Sequence, residues 1–155
     1  MSTKNSYINI LITGGAGYLG SVITDYLYQF GQINKLTVYD NLMYNQTSCI
    51  NYAHKRNFEF IHGDVRNHEK LLPYIEEAYV IIPLAAIVGF PACERDKDLA
   101  TAINYTHVKF ICDNIKPGQK ILYPNTNSGY GIGENGECTE ESQLKPISHY
   151  GVTKV

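Results

Sequence analysis

The stretch that decides the fold is 8-INILITGGAGYLG-20, in which an apolar run passes directly into a glycine-rich loop. Ile8–Thr13 has the β-branched and apolar composition that is typical of a buried strand. Gly14, Gly17 and Gly20 then give the spacing G-x-x-G-x-x-G. In such a loop the first glycine permits a tight turn, the second lets the backbone approach a diphosphate, and the third lets a helix pack on the strand.

Strand-like and helix-like segments alternate outward from this loop. Strands are predicted near Ile8–Thr13, Lys35–Tyr39, Phe58–Ile61, Tyr79–Leu84 and Lys120–Tyr123. Helices are predicted at Leu19–Phe30, His68–Ile75 and Leu99–Ile115 and from about Ser148, with an uncertain short helix within Tyr44–Arg56. This alternation predicts an α/β fold, a doubly wound parallel sheet of Rossmann-like type, with ligands at the carboxyl ends of the strands. Such a sheet usually has at least one more strand, so residues 1–155 are predicted to be a C-terminally incomplete domain.

The composition excludes several classes of function. The chain has 155 residues, a formal net charge of −2 and 44% hydrophobic residues, as ordinary globular proteins do. It has no basic run that would indicate nucleic-acid binding, and the apolar segment 78–90 is too short for a membrane span. The N-terminus resembles a tail leading into a strand rather than a signal peptide, which predicts a cytoplasmic protein. The four cysteines lack C-x-x-C spacing, so neither a metal site nor a disulfide framework is expected.

Two carboxylates follow predicted strands at the edge where a ligand is expected. Asp40 ends the second strand, where a carboxylate accepts hydrogen bonds from ribose hydroxyls and repels the extra phosphate of NADP. This favours NAD as the cofactor, although Asp40 could also be a turn residue. Asp64 follows the third strand, where it could receive the adenine amino group or simply form a turn or cap the next helix.

Two tyrosine–lysine pairs have the spacing Tyr-x-x-x-Lys, namely Tyr105 with Lys109 and Tyr150 with Lys154. Residues four apart lie on one face of a helix, so either pair could act together. With 13 tyrosines in the chain, the spacing can arise by chance, and the pattern alone does not select one pair.

Six motifs occur in a fixed order along the chain: TGGAGYLG, Asp40-Asn41, Gly63-Asp64-Val65, Leu84-Ala85-Ala86, 125-NTNSGYG-131 and Tyr150-x-x-x-Lys154. Together they resemble the extended short-chain dehydrogenase/reductase family, whose members use NAD to act on nucleotide sugars. The segments 40–48, 82–93 and 123–134 are most similar to members that oxidise C4 of a GDP-activated heptose for bacterial surface sugars. Family members are about twice as long, so the resemblance implies a substrate domain missing from this chain. It also implies a nucleotide-sugar substrate and a homodimer for the whole protein.

The resemblance also implies roles for individual residues. Tyr150 would be the base and Lys154 its supporting ammonium, which leaves Tyr105 and Lys109 as packing and a solvated amine. Thr126 would hydrogen-bond the reacting oxygen, with Ser128 as its rival. Residues expected to bind the cofactor are Gly14, Gly17, Tyr18, Leu19, Gly20, Asp40, Asn41, Asp64, Val65, Leu84, Ala85, Ala86, Asn104, Tyr150 and Lys154. For Asn104 the alternative is an amide on a helix surface.

The reaction implied is hydride transfer from C4 of the sugar to NAD, with C4 epimerisation as the alternative. Dehydration is disfavoured because Asn127 and Ser128 stand where the family's dehydratases carry Asp-Glu. After the fourth strand, Pro91 and Cys93 could touch the sugar or be structural, and residues 94–96 are expected to form a solvated helix start. A further hypothesis is a non-catalytic NAD-binding module, which would not need the complete catalytic set. The 155-residue chain alone is expected to be marginally folded and inactive.

Overall fold

Five parallel strands form one sheet in the order β3-β2-β1-β4-β5. The structure is a computed structural model and describes residues 8–132 and 137–155. The N-terminal tail and the end of the segment 123–134 lie outside the described residues. The strands are β1 (Ile8–Thr13), β2 (Ile33–Asp40), β3 (Phe58–His62), β4 (Val80–Pro83) and β5 (Lys120–Ile121). The doubly wound parallel sheet predicted from the sequence is therefore confirmed.

The helices lie on both faces of this sheet. They are α1 (Tyr18–Phe30), α2 (His68–Glu77), α3 (Phe90–Arg95), α4 (Lys97–Thr101), α5 (His107–Asn114) and α6 (His149–Val152). Two short 3₁₀ helices, Ser48–Tyr52 and Asn127–Gly129, and a π-helical turn, Ala102–Thr106, complete the described elements.

The core is divided between the two faces because alternate residues of a strand point in opposite directions. Ile10 and Ile12 of β1 pack with Leu36 of β2 and with the apolar side of α1. Leu11, between them, is fully buried in the opposite cluster with Ile81 of β4 and residues of α2 and α5. Both faces of β1 are covered, which explains why its sequence is apolar almost without interruption.

The predicted helix Leu99–Ile115 is wrong in detail, since it is three connected pieces. It begins at Lys97, where the Asp96 carboxylate accepts a hydrogen bond from Leu99 N–H at 2.9 Å. It then widens into the π-helical turn Ala102–Thr106 before continuing as α5. Single-turn π-helical segments are rare and occur frequently at functional sites.

Other differences are confined to the ends of elements and to connections. The two-residue β5 is shorter than the predicted Lys120–Tyr123, and α3 was not predicted. The uncertain segment Tyr44–Arg56 holds the 3₁₀ helix Ser48–Tyr52. The last helix begins at His149, with Ser148 as its cap, because the Ser148 hydroxyl accepts a hydrogen bond from Gly151 N–H.

Two further observations concern the chain as a whole. All four cysteines are unpaired: Cys49 and Cys93 are buried, whereas Cys112 and Cys138 are exposed. Within residues 8–132 and 137–155, no helix has the length and apolar character needed to cross a membrane.

Candidate functional site

The loop between β1 and α1 has a backbone shape that its glycines make possible. Gly14 has φ of +70°, a left-handed conformation that side chains with a Cβ rarely adopt. A Cβ on Gly14 would also lie 2.6 Å from the Cα of Ala85, so the loop packs directly against the segment after β4. The third glycine, Gly20, faces the backbone of Gly15 in the same way. These two glycines are needed for the fold itself, as the sequence predicts.

Gly17 differs from Gly14 and Gly20 because a Cβ there would require only a small shift of its neighbours. A Cβ there would meet only the Gly14 carbonyl oxygen at 3.3 Å and the Gln46 side chain at 3.5 Å. Gly17 caps α1 without a side-chain hydrogen bond, and the first backbone bond of the helix runs from Ser21 N–H to Gly17 O at 2.9 Å. The preceding N–H groups of a helix have no acceptor of their own, and with the helix dipole they attract anions. The loop therefore fits a diphosphate.

A cleft of about 290 Å³ opens in front of this loop, along the carboxyl ends of β1, β2, β3 and β4. Most of the residues predicted to bind a cofactor line it: Gly14, Gly17, Tyr18, Leu19, Gly20, Asp40, Asn41, Val65, Leu84, Ala85 and Ala86. The sequence analysis missed other lining residues that follow Asp40, including Met43, Tyr44 and Gln46. Their position directly after a predicted strand end was the one signal that could have identified them.

Asp40 joins the second strand to the glycine loop. Its Oδ2 accepts a hydrogen bond from Ala16 N–H at 3.0 Å, and its Oδ1 accepts one from Leu42 N–H at 2.7 Å. Leu42 has φ of +55°, a strained value for a residue with a side chain. A carboxylate has about four lone-pair sites, so Asp40 retains capacity for a ribose hydroxyl at the cleft.

Asp64 forms an ion pair that the sequence analysis did not anticipate. Arg66 Nη2 lies 2.6 Å from its Oδ2, and Arg66 backbone N–H donates to Oδ1 at 2.9 Å. The Arg66 side chain is the main reason that the pKa of Asp64 is lowered from its usual value. Gly63 and Val65, on either side, line the cleft, so Asp64 stands at the cleft with its carboxylate directed to Arg66.

Tyr150 lies in α6, whereas Lys154 lies in the turn that follows this helix, so the two residues do not share one helix. Lys154 is 6% exposed, and its Nζ is 4.6 Å from the centroid of the Tyr123 ring. Burial lowers the pKa of Lys154, and Cys93 partly offsets this effect. Burial, and next the proximity of Tyr150, raise the pKa of Tyr123 to about 12. Tyr123 was not predicted as a site residue, and an aromatic residue at a strand end carries no specific sequence signal.

The turn that carries Thr126 packs against the same helix. Thr126 Oγ1 accepts from Ser128 N–H and donates to Ser128 Oγ, both at 3.3 Å, so the predicted hydroxyl and its rival share one hydrogen-bonded turn. A Cβ on Gly151 of α6 would lie 2.7 Å from Ser128 O, and one on Gly129 would lie 2.6 Å from a Val155 side-chain carbon. The turn and the helix therefore approach as closely as their glycines allow.

Asn104 lies in the π-helical turn and is fully buried, which rules out the alternative of a surface amide. Its Oδ1 accepts from Ile87 N–H at 2.8 Å, and its Nδ2 donates to Ile87 O at 2.9 Å. Nδ2 also donates to Thr153 Oγ1 at 3.2 Å, one residue before Lys154. One side chain thus connects the segment after β4, which lines the cleft, to the turn between α6 and Lys154.

His107, which the sequence analysis did not single out, supports β1 from behind. It is fully buried, with Nδ1 3.2 Å from Ile103 O and Nε2 3.2 Å from Thr13 Oγ1. A carbonyl can only accept, so Nδ1 carries the proton and Nε2 accepts from the threonine. Burial is the main cause that lowers the pKa of His107 to about 4, so the ring is neutral at pH 7.

The competing tyrosine–lysine pair lies on the outside of the molecule. Tyr105 is 48% exposed, and Lys109 pairs with Asp113 at 2.5 Å. Lys109 is a solvated amine as expected, whereas Tyr105, which was expected to pack in the interior, is largely exposed.

The segment after β4 also departs partly from expectation. Cys93 is fully buried, and its Sγ donates a hydrogen bond to Ile87 O at 3.3 Å, which favours the structural role over contact with the sugar. Pro91 is an exposed residue in the first turn of α3. The solvated helix start expected at residues 94–96 is confirmed for Asp96, which caps α4, and is wrong for Glu94 and Arg95, which end α3.

A parallel α/β sheet with a glycine at a helix start and a carboxylate ending the second strand defines a dinucleotide-binding protein of Rossmann type. Residues 10–155 match the model of the NAD dependent epimerase/dehydratase family. This match covers nearly the whole chain, and the chain belongs to that family. The predicted family resemblance and NAD as the cofactor are thereby confirmed.

Known relatives with related activities align with almost all of the chain. A UDP-glucose 4-epimerase from Cyamopsis tetragonoloba is 30% identical over 166 residues, which cover 94% of this chain and 44% of the relative. An ADP-L-glycero-D-manno-heptose-6-epimerase from Nitratidesulfovibrio vulgaris is 26% identical over 152 residues, covering 93% and 45%. The crystal structure of a dTDP-glucose 4,6-dehydratase from Bacillus anthracis in complex with NAD superposes with a TM-score of 0.79 at 29% identity, covering 95% and 47%. The chain spans about half the length of the relatives it matches.

Proposed function

We propose that this chain supplies the NAD-binding and catalytic half of an enzyme that oxidises C4 of a nucleotide-activated sugar. The observation that carries the proposal is the arrangement at one edge of the sheet. The glycine loop and Asp40 suit the adenosine diphosphate half of NAD, and the Thr126 turn is packed against the C-terminal segment that carries Tyr150 and Lys154. A module that only binds NAD has no need of this second group of residues.

The chemistry assigned to the chain is proton transfer and positioning. Tyr150 would remove the proton of the sugar's C4 hydroxyl, and Lys154 would stabilise the resulting phenolate and hold ribose hydroxyls. Thr126 would donate a hydrogen bond to the reacting oxygen as it becomes a carbonyl. NAD, when bound, supplies the hydride acceptor. Asn104 would hold Thr153, and hence the segment between Tyr150 and Lys154, in place through its hydrogen bond of 3.2 Å.

The substrate proposed is a GDP-activated heptose. The segments 40–48, 82–93 and 123–134 resemble GDP-D-glycero-D-manno-heptose 4-dehydrogenase, and a relative that epimerises an ADP-activated heptose supports a heptose as the sugar. Asn127 and Ser128 lack the acid and base that dehydration needs, so the 4-keto sugar would not lose water. Release of the 4-keto sugar makes the enzyme a dehydrogenase, whereas its reduction from the other face would make it a 4-epimerase.

Several wider features belong to the same proposal. The nucleotide and sugar would be held chiefly by a substrate domain that corresponds to the remaining half of the relatives' length. The whole enzyme would be a cytoplasmic homodimer that binds no nucleic acid and takes part in bacterial surface-polysaccharide synthesis.

Absorbance at 340 nm tests the activity in the full-length polypeptide that contains these residues, with NAD and GDP-, ADP-, UDP- or dTDP-linked sugars. We expect NADH to form with a GDP-heptose. Tyr150→Phe removes the base and should lower kcat at least a hundredfold, a much larger effect than the loss of one cofactor contact would have on NAD affinity. Tyr105→Phe is the matched control, because it alters the tyrosine of the other Tyr-x-x-x-Lys pair, and it should retain full activity.

The outcomes separate the alternatives. Bound NAD with no turnover of any nucleotide sugar would identify a non-catalytic module and refute the proposal. Interconversion of two sugars without net NADH would indicate the 4-epimerase. Equal activity of Tyr150→Phe and the wild type would exclude Tyr150 as the base.

A further inference from the structure

The crest of the glycine loop, by which we mean Gly15 and Ala16, is hydrogen-bonded by side chains from a distant part of the chain. Ser48 Oγ donates to Ala16 O at 2.6 Å, and Cys49 Sγ donates to Gly15 O at 3.4 Å. From the other side, Asp40 accepts from Ala16 N–H at 3.0 Å. The peptide unit between Gly15 and Ala16 is therefore fixed at both its carbonyl and its N–H.

The next peptide unit is fixed in the same manner. Its carbonyl, Ala16 O, is bound by Ser48, and its N–H, on Gly17, donates to Gly14 O at 3.2 Å. Ala16 is 2% exposed and packs with Cys49 and Val38 in one small apolar cluster. The Cys49 thiol thus meets the loop from this buried cluster, and the half-buried Ser48 lies next to it in the chain.

The connection after β2 has an unusual backbone that brings Ser48 to this position. Leu42 and Asn45 both have positive φ, of 55° and 53°, and Asn45 N–H donates to Leu42 O at 2.8 Å. This tight turn, anchored by the Asp40 carboxylate on Leu42 N–H, directs the chain back to the 3₁₀ helix that begins at Ser48. Strained backbone of this kind persists where the surrounding structure holds it, often at ligand sites.

From this geometry we infer that Ser48 is a positioning residue for the diphosphate of the dinucleotide, with Cys49 in support. A peptide whose carbonyl turned toward the cleft would place a negative partial charge beside the phosphates. Ser48 opposes that rotation by donating a hydrogen bond to the Ala16 carbonyl, so the helix-terminal N–H groups remain the groups that the anion meets. This inference rests on the proposed binding of NAD and adds a residue 32 positions away from the loop.

Dissociation constants of NAD, ADP and adenosine, measured by calorimetry or ligand-observed NMR, test the role. Ser48→Ala should weaken NAD and ADP about five- to tenfold, the loss expected for one hydrogen bond, while adenosine binding stays within about twofold. Ser48→Thr keeps a hydroxyl and should restore diphosphate affinity. Ser21→Ala is the matched control, because the Ser21 hydroxyl also binds a backbone carbonyl, Tyr18 O at 2.8 Å, but not at the loop crest.

Each outcome has one meaning. Equal weakening of all three ligands by Ser48→Ala, or a loss that Ser21→Ala reproduces, would show a merely structural hydroxyl and overturn the inference. Unchanged ADP affinity in Ser48→Ala would overturn it as well. A wild-type protein that binds neither NAD nor ADP would instead refute the proposed function, so the two failures are distinguishable.

Discussion

Acidification should destabilise this protein through one buried imidazole. His107 has a pKa near 6.5 when unfolded and about 4 when folded, chiefly because burial disfavours its charged form. Between these values the unfolded chain binds a proton that the folded chain does not, so the free energy of unfolding falls as the pH falls. The full gap of about 2.5 pH units corresponds to about 3 kcal/mol, of which about 2 kcal/mol is lost between pH 7 and pH 5.

Urea unfolding at pH 7 and pH 5 measures this loss, with His107→Gln as the comparison. Glutamine can still accept a hydrogen bond from Thr13 Oγ1 but does not titrate. Between pH 7 and pH 5 the variant should therefore lose about 2 kcal/mol less of its free energy of unfolding than the wild type loses. Asp64 does not interfere with this comparison. Its pKa is lowered from 3.8, so its contribution to the free energy of unfolding is lost only at more acidic pH. An equal pH dependence in both proteins, or an NMR titration of His107 centred near 6.5, would refute the reasoning.

Three substitutions test the roles of backbone space and buried hydrogen bonds. Gly17→Ala should change the free energy of unfolding by less than about 0.5 kcal/mol yet weaken NAD binding at least tenfold. Gly14→Ala should lower the free energy of unfolding by more than about 1–2 kcal/mol, because the collision of its Cβ with the Ala85 backbone adds to the cost of a left-handed conformation. The same profile for both variants in calorimetry and urea unfolding would contradict the distinction. Asn104→Ala should lower stability by about 2–3 kcal/mol in urea because it leaves buried partners of Ile87 unbonded; a loss below about 1 kcal/mol would exclude that role. Gly151→Ala should reduce kcat more than NAD affinity by displacing the last helix; wild-type turnover at 340 nm would disprove the tight packing.

The sequence predicts those features that local chemistry encodes. The glycine loop could be recognised because Gly14 and Gly20 stand where no side chain fits, and β1 because both its faces are buried. The π-helical turn could not be recognised from the sequence. The buried residues around it keep the spacing of an α-helix, namely Ala100, Ile103, His107 and Ile111. Its one wide turn leaves the apolar pattern almost unchanged.

The missed site residues depend on contacts between distant parts of the chain. Ser48 reaches a residue 32 positions away, and His107 reaches Thr13 across 94 positions. A serine after a strand and a histidine in a helix are common, so neither residue type indicates its role by itself. Asp64 was placed at the correct edge of the sheet, but its pairing with Arg66 depends on side-chain directions that spacing does not specify.

The wide turn at Ala102–Thr106 has a consequence for how this segment tolerates insertions and deletions. A π-helical turn holds one residue more than an α-helical turn, so the loss of one residue there would leave an α-helical turn and keep the following residues in register. The gain of a further residue would instead rotate everything after it by about 100°. His107 would then lose Thr13, its neighbour at 3.2 Å, and Ile111 would leave the core. The segment between Asp96 and Asn114 should therefore tolerate the loss of one residue at Ala102–Thr106 better than the gain of one.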